Sequence, residues 1–290
     1  MLARAATAGL MMDAPTRIPA STMHQILYRA TALPGLDLMQ ARTSRDFGRH
    51  THDQFGLGRM DAGVQRSASD ARQLSQHAGQ MMFVNPGEVH DGRAIGGEPR
   101  AWRMLYVDPA LADALLDGRG QRLGFAQAAR RDEALSLRFE AAWRWALQGG
   151  AMAQESSLLA LLGPLAGLAR QGPPDGAAIG RARAALDDDP ARDWTLADLA
   201  RECALSRFQL HRAFVRATGL APHAYLVQRR VALARRLLRA GMAPAQAALA
   251  AGFYDQSHLA RHFGRALGLA PGRYARGVGR SDVQDRRGGL

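Results

Sequence analysis

Residues 210–225 read LHRAFVRATGLAPHAY, and residues 259–274 read LARHFGRALGLAPGRY. At an offset of 49, Leu210 meets Leu259, Arg212 meets Arg261, Phe214 meets Phe263, the GLAP run meets itself, and Tyr225 meets Tyr274. In the first copy, Thr195 is placed to cap a short helix, with Asp198 as its reciprocal partner. Ser206 then caps a second helix, with Gln209 three residues on. Gly219 ends that helix, because a glycine adopts the left-handed cap at little cost. On the second helix Leu210, Ala213, Phe214 and Ala217 share a face and are expected to bury together, while Phe208, His211, Arg212 and Val215 share another. The second copy repeats the plan. Pro244 opens a short helix where its missing N–H is harmless, Gly252 and Phe253 form the turn, and Asp255 caps the longer helix. There Leu259, His262, Phe263 and Ala266 face inward and Gln256, Ser257, Ala260 and Arg261 outward, with His258 flanking the outer face.

Helix, tight turn and helix is the layout in which the second helix enters the DNA major groove. On such outward faces an Arg can bond guanine bidentately and an exposed aromatic or His can meet base edges, while Arg216 is better placed for backbone phosphate. One long helix over HAYLVQRRVALARRLLRAG, residues 223–241, joins the copies. It carries Leu226, Val231, Ala234, Leu237 and Leu238 on its apolar side. A rod of about 25 Å suits two reading helices set one DNA turn apart, roughly 34 Å. The other reading of the duplication is a helical repeat for protein binding; two copies are too few for a solenoid.

Charge agrees with a nucleic-acid partner. The chain has 290 residues and a formal net charge of +12, with no lysine at all. Residues 177–290 hold 19 Arg against 9 acids, whereas residues 1–176 hold 19 Arg against 17. A composition bias toward Arg does not by itself load one half, so the basic half calls for a polyanion. The single cysteine, Cys203, forms no internal disulfide, fits a reducing cytoplasm, and sits where packing is its role. The beginning of the chain faintly mimics a targeting segment, or is an over-long start with Met12 or Met23 the true beginning. No apolar run is long enough to suggest a membrane span.

The organisation is α+β. Residues 24–107 show short apolar runs broken by Gly, Asp and Pro, and read as strands. Residues 109–170 turn helical. QGPPDG, residues 171–176, is a linker. The expected division is a tail at 1–22, a strand domain at 23–108, a helical region at 109–170, the linker at 171–176, an all-helical domain at 177–276 and a tail at 277–290.

The C-terminal hundred residues resemble the DNA-binding domain of the AraC/XylS family of bacterial transcription regulators. The resemblance rests on the Ser-x-x-x-Leu-x-Arg-x-Phe run from Ser206 to Phe214, on Arg230 and Ala234 in the joining helix, and on AGFYDQSHLARHFGRALGLAPGRYAR, Ala251 to Arg276. The family often has Lys after the Phe, where this chain has Val215 and Gly264. The N-terminal half is similar, more loosely, to the family's cupin-like sensing barrel through GRHTHDQFGLG (48–58) and VNPGEVHDGR (84–93). The resemblance implies two helix-turn-helix units joined by a long helix, with base contacts from Phe208, His211 and Arg212 in the first and Gln256, Ser257, His258 and Arg261 in the second, a barrel holding a small-molecule effector, and flanking helices that pair two subunits. The expected partners are promoter DNA, an effector and a second copy of the chain, with RNA polymerase a further candidate, in the cytoplasm and without cofactor or membrane.

His50, His52 and His90 stand out in the barrel. His-x-His on a strand points both rings to one face, and a third His could complete a metal site. The Glu and Asn that usually accompany such sites are replaced by Gly56, Leu57 and Ala94. Three readings stand: histidines satisfied within the barrel, effector-binding histidines, and metal ligands. His50, His52, Glu88 and His90 are the candidate effector contacts, with Asp91 beside them. The rival functions are a metal-dependent cupin enzyme fused to a DNA-binding tail, and a regulator whose barrel only dimerises.

Overall fold

The computed structural model describes residues 24–69, 72–116, 123–167 and 176–278. The two expected tails and the linker lie outside these residues, save Gly176, Gly277 and Val278. Alternating and continuous apolar runs give β1 (His24–Ala30), β2 (Leu36–Thr43), β3 (Phe47–His50), β4 (Phe55–Ala62), β5 (Val64–Ser69), β6 (Arg72–His77), β7 (Met81–Val84), β8 (His90–Ala94) and β9 (Arg100–Val107). A later two-residue strand, β10 (Ala129–Arg130), pairs with β7 and has no periodic signal in the sequence. The strands form two antiparallel sheets, ordered β1-β2-β9-β4-β7-β10 and β3-β8-β5-β6. Arg100, almost wholly buried, ties them together. Its guanidinium donates to Gln65, to Gly92 O and to the carbonyls of Thr43 and Arg45.

Three helices close one side: α1 (Pro109–Leu116), α2 (Glu133–Gln148) and α3 (Ala151–Leu162). Phe139, Leu158, Leu161 and Leu162 pack with Leu57, Leu105 and Val107 of the sheet. The apolar pattern runs on past Leu162, but the α-helix gives way there to a 3-10 turn, Gly163–Leu165, where Pro164 has no N–H to carry the hydrogen-bond ladder on.

The C-terminal half contains α4 (Ala177–Asp188), α5 (Leu196–Glu202), α6 (Arg207–Thr218), α7 (Pro222–Arg239), α8 (Pro244–Ala250), α9 (Gln256–Leu267) and α10 (Pro271–Val278). Both capping boxes of the first copy form, Thr195 with Asp198 and Ser206 with Gln209. Asp255 accepts from His258 N at the start of α9. Gly219 and Gly268 take the left-handed conformation at the two helix ends. One face assignment needs correction. Ala217 is exposed, and Thr218 takes the buried position at the end of α6. Thr218 tolerates burial because its hydroxyl donates to the carbonyls of Phe214 and Leu220.

The two halves share one core. Ile26, Tyr28, Phe47, Trp102 and Tyr106 of the barrel pack with Val227, Val231, Phe263, Leu267 and Tyr274 of the helical domain. The approach is close enough that a Cβ on Gly268 would stand 2.2 Å from Ile26 Cδ1, and one on Gly277 would stand 2.5 Å from the Tyr28 carbonyl oxygen. Only glycine admits these approaches.

Candidate functional site: a shared cavity and two reading helices

A cavity opens inside the barrel at this shared core. It offers about 90 Å³ to the centres of water molecules, several times what one water needs. Barrel side chains line most of it, among them Tyr28, Phe47, Met82, Trp102, Met104 and Tyr106. The remaining wall is Ala232 and Arg235 of α7 with Ala266 and Leu267 of α9. The four candidate effector residues, His50, His52, Glu88 and His90, all border it, and so does Asp91.

The histidines meet in a way the sequence pattern only partly anticipates. β3 ends at His50, so His52 lies in the loop beyond it and not on the strand. His90 opens β8 and pairs across to His50. Ring centroids are 4.3 Å apart for His50 and His90, 5.0 Å for His52 and His90, and 6.5 Å for His50 and His52. Each Nδ1 sits against a backbone carbonyl: His50 at 2.8 Å from Gly48 O, His52 at 2.9 Å from Gln54 O, His90 at 3.1 Å from Glu88 O. A carbonyl only accepts, so each Nδ1 carries the proton and each Nε2 is left as a lone-pair acceptor. Among the described residues, no group of three or more His, Cys, Asp or Glu side chains is arranged to hold a metal ion.

Burial drives all three imidazoles toward the neutral form. His50 is held down to about 3, by burial first and then by His90. His52 falls well below its ordinary range, by burial and then by His90 and Arg235. His90 is held down to about 4 by burial. In the unfolded chain these groups titrate near 6.5. Below that pH the unfolded state binds more protons than the folded one, so stability is full above about 6.5 and falls as pH drops toward the folded values. The expected loss is up to about 1.4 kcal/mol per pH unit for each imidazole. Urea denaturation at pH 7 and pH 5 measures it, and a triple His50→Gln, His52→Gln, His90→Gln variant should show a flatter dependence. An equal slope in both proteins would contradict the neutral-cluster reading.

The carboxylates beside the histidines are already engaged. Glu88 accepts from the Ser69 hydroxyl and from the backbone and side-chain N–H groups of Asn85. Asp91 accepts from Ala68 N at 2.6 Å and pairs with Arg93.

The loop after His50 also reaches the helical domain. Asp53 pairs with Arg229 and Arg236 of α7. Gln54 accepts from Arg235 at 2.7 Å and donates to Asp108 at 2.8 Å. Arg239 pairs with the fully buried Asp37 at 3.2 Å. Arg230 turns back on its own domain and donates to the carbonyls of Pro190 and Arg192. All five arginines of α7 are thus engaged within the protein. The basic balance of the C-terminal half overstates the charge available to DNA, a point that composition could not reveal.

The two reading helices, α6 and α9, present most of their candidate DNA contacts at the surface. On α6, Phe208, His211, Arg212 and Arg216 are exposed, and the Arg212 guanidinium lies 5.5 Å from the Phe208 ring centre. On α9, Gln256, Ser257 and Arg261 are exposed, and His258 is half-buried. His258 rests 5.2 Å from Phe253 and 5.0 Å from His262, which is itself half-buried. Tyr254, in the turn before α9, is highly exposed and carries no signal in the sequence that marks it for DNA. α7, at 18 residues, is a rod of about 27 Å. Cys203 is buried in the turn between α5 and α6, and its thiol donates to Ala178 O.

A barrel with an internal cavity, joined to a pair of helix-turn-helix units, defines a DNA-binding transcription regulator with a ligand-binding domain. The family description AraC-like ligand binding domain matches residues 33–162, and helix-turn-helix domain matches residues 199–277. The chain belongs to the AraC/XylS family of transcription regulators. It is 27% identical over 224 residues to the uncharacterized HTH-type transcriptional regulator YbfI of Bacillus subtilis, covering 73% of this chain and 81% of that one. It is 41% identical over 116 residues to a putative AraC-like transcription regulator of Streptomyces lividans, covering 40% of this chain and 36% of that protein. In fold it is similar to ToxT of Vibrio cholerae, with a TM-score of 0.53 at 12% identity, covering 83% of this chain and 98% of that one. ToxT with a bound unsaturated fatty acid aligns at a TM-score of 0.55 and 13% identity, over 89% of this chain and 97% of that one. No helix among the described residues is long and apolar enough to cross a membrane.

Proposed function

We propose that a small molecule in the shared cavity controls how this regulator engages promoter DNA, and that the protein does no catalysis. The observation that carries the reading is the composition of the cavity wall, where barrel residues face Ala232, Arg235, Ala266 and Leu267 of the helical domain. An occupant there touches both halves at once, so its binding free energy depends on how they sit together. Such a differential affinity is what effector control requires. ToxT, a protein of similar fold, binds an unsaturated fatty acid, which agrees with a small-molecule effector here.

His50, His52, Glu88 and His90 serve as the effector contacts. The DNA contacts are Phe208, His211, Arg212 and Arg216 from the first unit and Gln256, Ser257, His258 and Arg261 from the second. The segment from His50 to Gln54 is the route between sites. His50 and His52 border the cavity, while Asp53 and Gln54 hold Arg229, Arg236 and Arg235. Residues 23–108 act as the sensing barrel and 177–276 as the reader. The region 109–170 pairs two copies, a role supported by the exposed Leu137, Trp145 and Met152 on α2 and α3. The partner that reads the bound complex is RNA polymerase, in the cytoplasm.

Asp53→Ala tests the coupling. It removes both ion pairs to α7 without touching the reading helices. DNA affinity of the effector-free protein, measured by fluorescence anisotropy on a duplex selected from a random pool, should change by about three- to tenfold, the equivalent of roughly 0.6–1.4 kcal/mol for partly buried pairs. Unchanged affinity would mean that the barrel does not restrain the DNA-binding half.

A further inference from the structure

The chemistry of the cavity selects among kinds of effector, given that the cavity is the effector site. We infer that the occupant is a neutral ring of phenol type that presents two or more O–H donors along one edge. Three imidazoles meet at one end of the cavity, their ring centres 4.3–6.5 Å apart. Because all three Nδ1 atoms are committed to backbone carbonyls, what remains for an occupant is a set of Nε2 lone pairs. These seek donors. Thr51, buried and bordering the same cavity, has a hydroxyl without a hydrogen-bond partner among the described residues. Buried polar atoms of this kind are costly unless something satisfies them.

Other ligand classes fit less well. A carboxylate brings lone pairs against lone pairs, and it meets Glu88 and Asp91, which border the same cavity. Among the described residues of the wall Arg235 carries the one cationic group; its Nη2 donates to Gln54, and its Nε, buried without a partner, is the one charged donor left for a carboxylate. An amine finds both carboxylates engaged with Ser69, Asn85, Ala68 and Arg93, and it meets the positive charge of Arg235. A sugar carries hydroxyls on every edge, and those turned toward Met39, Met82, Met104 and Leu267 would lose their hydrogen bonds. A flat apolar body suits the walls made by Phe47, Trp102, Tyr28 and Tyr106. Adjacent hydroxyls on such a body reach separate imidazoles.

The test uses the full chain and four probes that share a ring: catechol, 1,2-dimethoxybenzene, benzoate and benzylamine. Binding is read from the nitrogen resonances of the imidazoles and from the shift in melting temperature. Catechol should move the Nε2 resonances of His50, His52 and His90 and raise the melting temperature. Dimethoxybenzene, the same shape without donors, should bind at least about tenfold more weakly, and His90→Phe should weaken catechol by about three- to tenfold. Equal binding of catechol and dimethoxybenzene, or tighter binding of benzoate or benzylamine, would overturn the donor-edge assignment and leave the cavity standing as an effector site. If none of the four moved any of these resonances, both the assignment and the effector-site reading would fall. The comparison of probes on the unaltered protein does not depend on whether His90→Phe folds.

Discussion

Arg235→Ala should destabilise the protein by about 3–5 kcal/mol, the usual consequence of removing one partner from a buried charged cluster. Arg235 is 7% exposed and lies where the barrel, α7 and α10 meet. Its guanidinium sits 5.7 Å from the ring centres of both Tyr106 and Tyr274 and donates to Gln54. It is also one of two cations facing Asp37, a fully buried carboxylate that burial raises and that Arg239 and Arg235 pull back down. Without it, Gln54 loses a donor, Asp37 keeps only Arg239, and a void opens against the cavity. Arg235→Met keeps the volume and part of the packing, so its cost should be smaller than that of alanine yet still substantial. Urea denaturation measures both. A loss under about 1 kcal/mol for Arg235→Ala would mean that the two halves are not locked together through this residue.

Replacing Arg212 and Arg261 together should abolish discrimination of the operator. Each is exposed on its reading helix. A good bidentate pairing with guanine is worth about 1–3 kcal/mol. The two residues belong to separate units, so their effects should add, giving a loss of about 30-fold to 10⁴-fold in specific affinity. Arg212→Ala alone should relax the requirement at one base step in one half of the site, and Arg261→Ala at one in the other half. Arg216→Ala is the contrast. Removing a phosphate partner at that position should weaken binding to all sequences alike and reduce the salt slope by about one. Selection from a random duplex pool with each variant gives these profiles directly. A double variant with the wild-type sequence preference would refute the assignment of the reading face.

The duplicated unit was legible because its signals are local. Ser206 with Gln209, Thr195 with Asp198, Asp255, Pro244 and the two glycines at 219 and 268 each act within one turn of their own helix, so no tertiary knowledge is needed to read them. The strand region was legible through its apolar runs and turn residues, but β10 was not, since two residues carry no period. The break at Leu162 was visible in Pro164 and masked by the continuing leucines. The arginines of α7 are the clearest case of what a one-dimensional reading misses. Arg229, Arg230 and Arg235 look like surface charge in a basic helix, and their acceptors are residues such as Asp53, Pro190 and Gln54, many positions away. The histidine cluster was half legible. Spacing pointed to His50 and His52, and the turn pointed to His90. The proton positions came only from the carbonyls of Gly48, Gln54 and Glu88, which the chain places by folding. The wall that α7 and α9 give to the cavity has no sequence signature at all.

The most direct measurement is a footprint of the full chain on the DNA upstream of its own and neighbouring genes, taken at several salt concentrations. Two reading helices joined by α7 should protect two successive major-groove faces on one side of the duplex for each subunit, roughly 34 Å apart. Occupancy should fall steeply as salt rises. Protection of a single groove per subunit, or a uniform pattern without preferred sites, would contradict the conclusion that this chain carries its helix-turn-helix twice in order to read two adjacent grooves.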